Sequence, residues 1–113
     1  MMNESEGHLL RIFIGEGDRH EGKPLYQWIL HKAREMGLAG ATVTRGIAGF
    51  GAKSHIHSAS ILRLSEDLPV IVEIVDKEEK LHAFLEVIDD TVRGGLATIE
   101  KVQIHFYRSG DDA

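Results

Sequence analysis

Residues 45–54, RGIAGFGAKS, bring two glycines, a lysine and a serine close to the order of a phosphate loop, GxxxxGK[ST]. Gly46 and Gly51 have the required separation, but Ala52 stands between Gly51 and Lys53. A phosphate loop also opens a helix, whose first amides hold the phosphates. Here HIHSASILRL follows, alternating polar and apolar residues like the arm of a strand. The apolar run VIVEIVD, ending in Asp76, imitates a magnesium-binding strand, yet 113 residues with only two helical segments barely accommodate a doubly wound nucleotidase sheet. Phosphate-loop hydrolysis is therefore rejected. What survives is the chemistry of the glycines: Gly46, Gly49 and Gly51 can take positive φ and turn successive amides toward one anion. The plain alternative is a mobile hairpin loop.

Cations cluster near the glycines. Between Met36 and Ser65 there is no acidic residue, although the chain holds 18, and this window carries Arg45, Lys53 and Arg63. Two further acid-free tracts contain Arg93-Gly94-Gly95 and Arg108. With a net charge of −5, such local basic patches suit a small anion and repel the long polyanions of DNA and RNA. Chance clustering on a solvated face is the competing explanation. His55-x-His57 would place two imidazoles on one face of a strand arm, as a metal pair requires, but no third ligand lies nearby. His82 and Glu86 share a helical face that reads as solvated surface. No Ser/His/Asp set or carboxylate pair has a spacing that implies turnover.

The composition is that of one soluble globular domain spanning residues 1–113: 42% hydrophobic and 27% charged. Cysteine is absent, which excludes disulfides and thiolate metal sites. The polar start MMNESEGH is unlike a secretory signal and no run is long enough to span a bilayer, so a cytoplasmic location without membrane insertion is expected. Aromatic residues are only 6%, which argues against base-stacking platforms and nucleic-acid binding.

Six elements must position these groups. HLLRIFIG reads as a strand with Leu10, Ile12 and Ile14 on one face and Leu9, Arg11 and Phe13 on the other. After a polar loop at Glu16–Lys23, Pro24 opens a helix whose stripe is Leu25, Trp28, Ile29, Ala33 and Met36, with Gly37 as its stop. Tyr26 and Trp28 read as packing residues. Gly40–Ala48 is a second strand, residues 49–58 a loop, and Ala59–Leu64 a hairpin arm. PVIVEIVD reads as a strand buried on both faces. Asp76 with Glu79 forms a capping box for a helix carrying Leu81, Phe84, Leu85 and Ile88. Leu96–Tyr107 is the last strand. Residues 1–7 and 109–113 read as flexible tails. The order βαββαβ predicts an α+β, ferredoxin-like sandwich: an antiparallel sheet with two helices on one face. The other face, carrying Leu9 and Phe13, is too apolar for water, so burial by further copies is expected.

GATVTRGIAGFG resembles the G-x-T-V-T-x-V-x-GFG segment of PII signalling proteins, where the second strand enters the long T-loop. LPVIVEIVD is similar to the strand that follows that loop, and YRSG to the closing R-T-G, so the resemblance covers nearly the whole chain. The pattern GLAGATV.RGI.GFG is closest to the small PII-like family. The resemblance implies a homotrimer with adenine nucleotide bound between subunits, and a T-loop, here residues 50–67, that docks on a regulated transporter or enzyme. By matched position, Thr42, Gly49, Phe50 and Gly51 would form one wall of the site, with Glu73 facing it. Arg93, Gly94, Gly95, Leu96 and Arg108 would approach from a neighbouring chain. Arg45 and Lys53 are added on charge alone. TVRGGLATIEK lacks the lysine and second glycine cluster of the classical T-G-x-I-G-D-G-K loop, so ADP or AMP is expected over ATP. Residues 52–67 contain no Tyr, which removes control by uridylylation, and no Gln follows GFG to support a 2-oxoglutarate response. The expected role is non-enzymatic signalling, with no obligatory cofactor. Two other classes stay open: a trimeric divalent-metal-binding or metal-tolerance protein using His55 and His57, and an RNA-binding module, which the acidic charge disfavours.

Overall fold

The structure, a computed structural model, describes residues 5–51 and 67–111. β1 (Ser5–Gly15) is followed by a two-residue ribbon, β2 (Arg19–His20) and β3 (Lys23–Pro24), and by α1 (Leu25–Glu35). Then come β4 (Thr42–Arg45), β5 (Pro69–Asp76), α2 (Glu78–Ile88) and β6 (Leu96–Ile104). The main sheet has the order β4-β5-β1-β6, every neighbouring pair antiparallel. This is the expected ferredoxin-like α+β sandwich.

Side-chain period decides which face each strand buries. Leu10, Ile12 and Ile14 of β1 and Val70, Val72 and Ile74 of β5 alternate inward. They pack with Leu25, Ile29 and Ala33 of α1 and Leu81, Phe84 and Ile88 of α2. Phe84, Leu10, Ile29 and Leu81 are wholly buried. Tyr26, Trp28 and Leu85 pack at the rim of this core, as their spacing predicts.

α1 starts and stops as expected. Pro24 occupies the N-cap with extended ψ, and Gly37 adopts φ 73° just beyond the C-cap Met36. The Leu38 amide donates to the Ala33 carbonyl and the Gly37 amide to that of Arg34, a Schellman motif that requires the left-handed residue. α2 differs. Its N-cap is Lys77, with no side-chain cap. The Asp76 carboxylate instead accepts from the Lys77 amide (2.7 Å) and from the Ala39 amide (2.8 Å), tying β5 to the α1–β4 connection.

Four other boundaries depart from expectation. β1 already begins at Ser5, inside the segment read as a tail, because residues 5–7 pair with 102–104. The Glu16–Lys23 loop contains the β2–β3 ribbon, whose turn residues Glu21 and Gly22 both take positive φ. β4 is shorter than Gly40–Ala48, and β6 ends at Ile104. β5 is not buried on both faces: Ile71, Glu73 and Val75 are half-buried on the face the helices leave open. The Ala59–Leu64 arm lies outside the described residues.

Candidate functional site

The open face of the sheet is organised in rows. One row runs Thr42, Glu73, Arg11, Thr98 across all four strands. The next toward the Gly15 end runs Thr44, Ile71, Phe13, Leu96, skipping one inward residue per strand. On the other side lie Val75, Leu9 and Glu100. Arg11 is the centre. Its Nε donates to Glu73 Oε2 at 2.8 Å and its Nη1 to Glu100 Oε1 at 2.5 Å. Both bonds stabilise the charged guanidinium, raising its pKa, with the Glu73 bond the larger influence.

Beyond β6 the chain turns back over the Asp76 end of the sheet. The Tyr107 hydroxyl donates a short hydrogen bond to the Ala39 carbonyl. A cavity of about 780 Å³ lies between this segment and the sheet. Leu9, Val75 and Val102 form an apolar floor, Thr42 and Glu73 one flank, and Phe106 and Tyr107 the opposite wall. The Arg108 guanidinium stacks over the Phe106 ring at 4.0 Å from its centroid. An apolar floor, an aromatic wall and an adjoining cation can hold a flat heterocycle bearing negative charge.

The candidates divide between the two ends of the sheet. Thr42 and Glu73 are directly paired and border the cavity, with Arg108 beside it. Arg93–Leu96 sit at the opposite end, where Leu96 pairs with Phe13. Gly95 has φ 126°, and a Cβ there would fall on the Phe13 carbonyl oxygen. Gly49, Phe50 and Gly51 are at that same end: a Cβ on Gly49 would meet the Pro69 ring at 3.0 Å. The ring of Phe50 is exposed. Within one protomer, therefore, the glycine turns and Arg108 do not converge. Lys53, His55 and His57 lie outside the described residues. Among those described, no group of three His, Cys, Asp or Glu could hold a metal.

Two readings are corrected here. The proposed amide nest fails at Gly46, whose amide donates to the Pro69 carbonyl at 2.7 Å, and neither Gly46 nor Gly51 takes positive φ. The acid-free window is not acid-free in space, because Arg45 Nη1 meets Glu16 Oε2, from just past β1, at 2.8 Å. Sequence reasoning gave Tyr107 and residues 39–41, which also line the cavity, no role at the site, and it placed Arg11 on the open face without its partners. A lone arginine flanked by Leu9 and Phe13 on one strand face was the available signal.

A family model covering residues 7–104 matches DUF190, described as "Uncharacterized ACR, COG1993". The chain belongs to the DUF190 family. Two of the chain's relatives are UPF0166 proteins. One, from Aquifex aeolicus (strain VF5), is 48% identical over 96 residues, 85% of this chain and 90% of that protein. The other, from Methanocaldococcus jannaschii, is 36% identical over 98 residues, 86% and 90% of the two chains. Among solved structures, the fold matches CPII of Thiomonas intermedia K12 bound to ADP and bicarbonate, with TM-score 0.66, 17% identity and coverage of 94% of this chain and 95% of that one. CPII, a nitrogen regulatory PII-like protein, was also solved with ADP, AMP and bicarbonate (TM-score 0.67, 14% identity, 94% of each chain). This DUF190 chain therefore has the PII-like fold that its GFG and LPV segments predicted. Among the described residues, no helix is long and apolar enough to cross a membrane.

Proposed function

We propose that this protein is a PII-like regulator that binds an adenine nucleotide, ADP or AMP in preference to ATP, at the seams of a homotrimer. The observation that carries this reading is the cavity beneath residues 104–107, with its apolar floor, its Phe106 wall and Arg108 stacked alongside. Arg108 supplies a planar cation suited to phosphate. The ADP and AMP bound by CPII, a protein of the same fold, support the ligand class. In one protomer the glycine turns and Arg108 occupy opposite ends of the sheet, so a site that uses both needs Arg93–Leu96 from a neighbouring chain. The apolar open face provides the surface for that neighbour. Nucleotide occupancy would alter residues 50–67 and so their affinity for a regulated protein, a coupling between two sites rather than a reaction.

Calorimetric titration with ADP, AMP and ATP, read together with native mass spectrometry, tests this. The expected result is a trimer that binds ADP or AMP more tightly than ATP, with Arg108→Ala weakening ADP by more than about tenfold, as for a lost charge-assisted bond. A folded trimer with no nucleotide affinity below about 1 mM, some 4 kcal/mol, refutes the ligand.

A further inference from the structure

A second cavity, of about 520 Å³, lies where the chain doubles back on α1. Gly37, at φ 73°, reverses the chain, and the Leu38 amide donates to the Ala33 carbonyl at 3.1 Å, which brings residues 38–41 back beside the helix. On the helix side, Gln27, Leu30, His31 and Arg34 recur at i, i+3, i+4 and i+7 and share one face, apart from the core stripe of Leu25, Ile29 and Ala33. Half-buried Leu30, Leu38 and Ala41 supply hydrocarbon, while Gln27, His31 and Arg34 are exposed at the mouth. The chain carries a net charge of −5, yet among the described residues no Asp or Glu lines this cavity. Glu35, the acid next to Arg34, is taken by Lys32 at 2.8 Å. Among the described residues the Arg34 guanidinium has no hydrogen-bond or ion-pair partner, so its donors are open to a ligand.

These features select a ligand class. A planar guanidinium receives a carboxylate through two parallel hydrogen bonds. The Leu30 and Leu38 side chains accept an aliphatic chain, and the volume falls within the roughly 300–1,000 Å³ of small-molecule sites. One arginine and one histidine are too few for a polyphosphate, and an uncharged apolar molecule would leave the guanidinium unused. We propose that this cavity is a second binding site, for a small aliphatic carboxylate held by Arg34. It is independent of the nucleotide reading, because none of its charged or amide side chains lines the larger cavity. Ala39, Gly40 and Ala41 line both cavities, so one wall separates the two. That wall is fastened at Ala39, whose amide donates to Asp76 at 2.8 Å and whose carbonyl accepts from the Tyr107 hydroxyl. A carboxylate in the smaller cavity therefore acts on Phe106 and Tyr107 through Ala39, which is the position of an effector.

The test is NMR titration of the nitrogen-15-labelled full chain with hexanoate, without nucleotide. Resonances of residues 27–41 and the Arg34 Nε–H shift and saturate with a dissociation constant of about 1 mM or tighter, and those of 105–107 move with them. Hexan-1-ol, which has the chain without the charge, and inorganic phosphate, which has charge without a chain, bind there at least tenfold more weakly. Arg34→Gln weakens hexanoate at least tenfold, and Arg34→Lys recovers part of the loss. Circular dichroism establishes that the variants fold, and the comparison of the three probes on the wild type carries the test without them. No shift in residues 27–41 at about 10 mM hexanoate overturns the site, as does a folded Arg34→Gln chain that binds like the wild type. Phosphate or hexan-1-ol binding as tightly as hexanoate overturns the ligand class, and shifts in 27–41 without any in 105–107 overturn the link through Ala39. Parallel calorimetry with ADP separates the two readings: a chain that takes hexanoate but no ADP leaves this site standing and refutes only the nucleotide.

Discussion

Asp76 offers a direct route to test how the core supports the site. Its side chain is 4% exposed, and its carboxylate accepts from the amides of Ala39 and Lys77, with Lys80 Nζ 3.8 Å away. Asp76→Ala removes both acceptors. Hydrogen bonds to a charged group contribute about 1.5–3 kcal/mol each, but Lys77 is exposed and water replaces its partner, so the loss is dominated by the Ala39 amide. The expected destabilisation is about 2–3 kcal/mol, or roughly 8–12 °C in Tm at about 4 °C per kcal/mol for a chain of this size. Asp76→Asn keeps one acceptor oxygen but sets an amide group against a backbone donor, and should lose about half as much. Thermal and urea unfolding followed by circular dichroism measures both variants. Because Ala39 also receives Tyr107, Asp76→Ala should speed hydrogen exchange in residues 38–41 and 105–107 ahead of global unfolding. An Asp76→Ala chain melting within about 2 °C of wild type refutes the reasoning, since it would mean the tether carries no free energy.

Three further outcomes are expected. Gly95→Ala puts a Cβ onto the Phe13 carbonyl oxygen at φ 126° and should destabilise by about 2–4 kcal/mol in urea titrations, whereas Gly51→Ala, with none of the described residues within 4 Å of the added Cβ, should be nearly neutral. Phe84→Ala empties the middle of the core and should cost about 3–5 kcal/mol by the same measurement. Glu35 has its pKa lowered by its hydrogen bond from Lys32, so the pair stabilises α1 above the usual carboxylate range and that contribution fades as pH falls through the lowered value; Glu35→Gln should flatten this acid limb in a pH series of melts.

Helix α1 was legible because Leu25, Ile29 and Ala33 recur at helical spacing and both ends carry their own instructions, Pro24 before and Gly37 after. The core face of β1 followed from alternation. β5 was misread because Val, Ile and Val look alike whether they meet a helix or an uncovered sheet face. Only the count of layers distinguishes the two, and helices cover one face here. The Asp76 capping box failed for a similar reason: the sequence offers a local donor, while the fold brings the Ala39 amide to 2.8 Å from the same carboxylate. The acid-free window around Arg45 likewise held along the chain and broke in space, where Glu16 arrives from just past β1.

For the candidate site, the chain alone named Thr42 and Glu73 through a resemblance, and their pairing across β4 and β5 brings them together. It did not reveal that Arg11 joins Glu73 from 62 residues away and Glu100 from 89, or that Tyr107 meets Ala39 across 68. Local periodicity, set by backbone geometry, determined which elements form and which side chains share a face. Strand order and register decided which of those faces meet, and they depend on how the helices and strands bury their apolar sides against one another. That is a property of the whole packed chain, so the central ion triad and the cavity under the last segment belong to the tertiary structure.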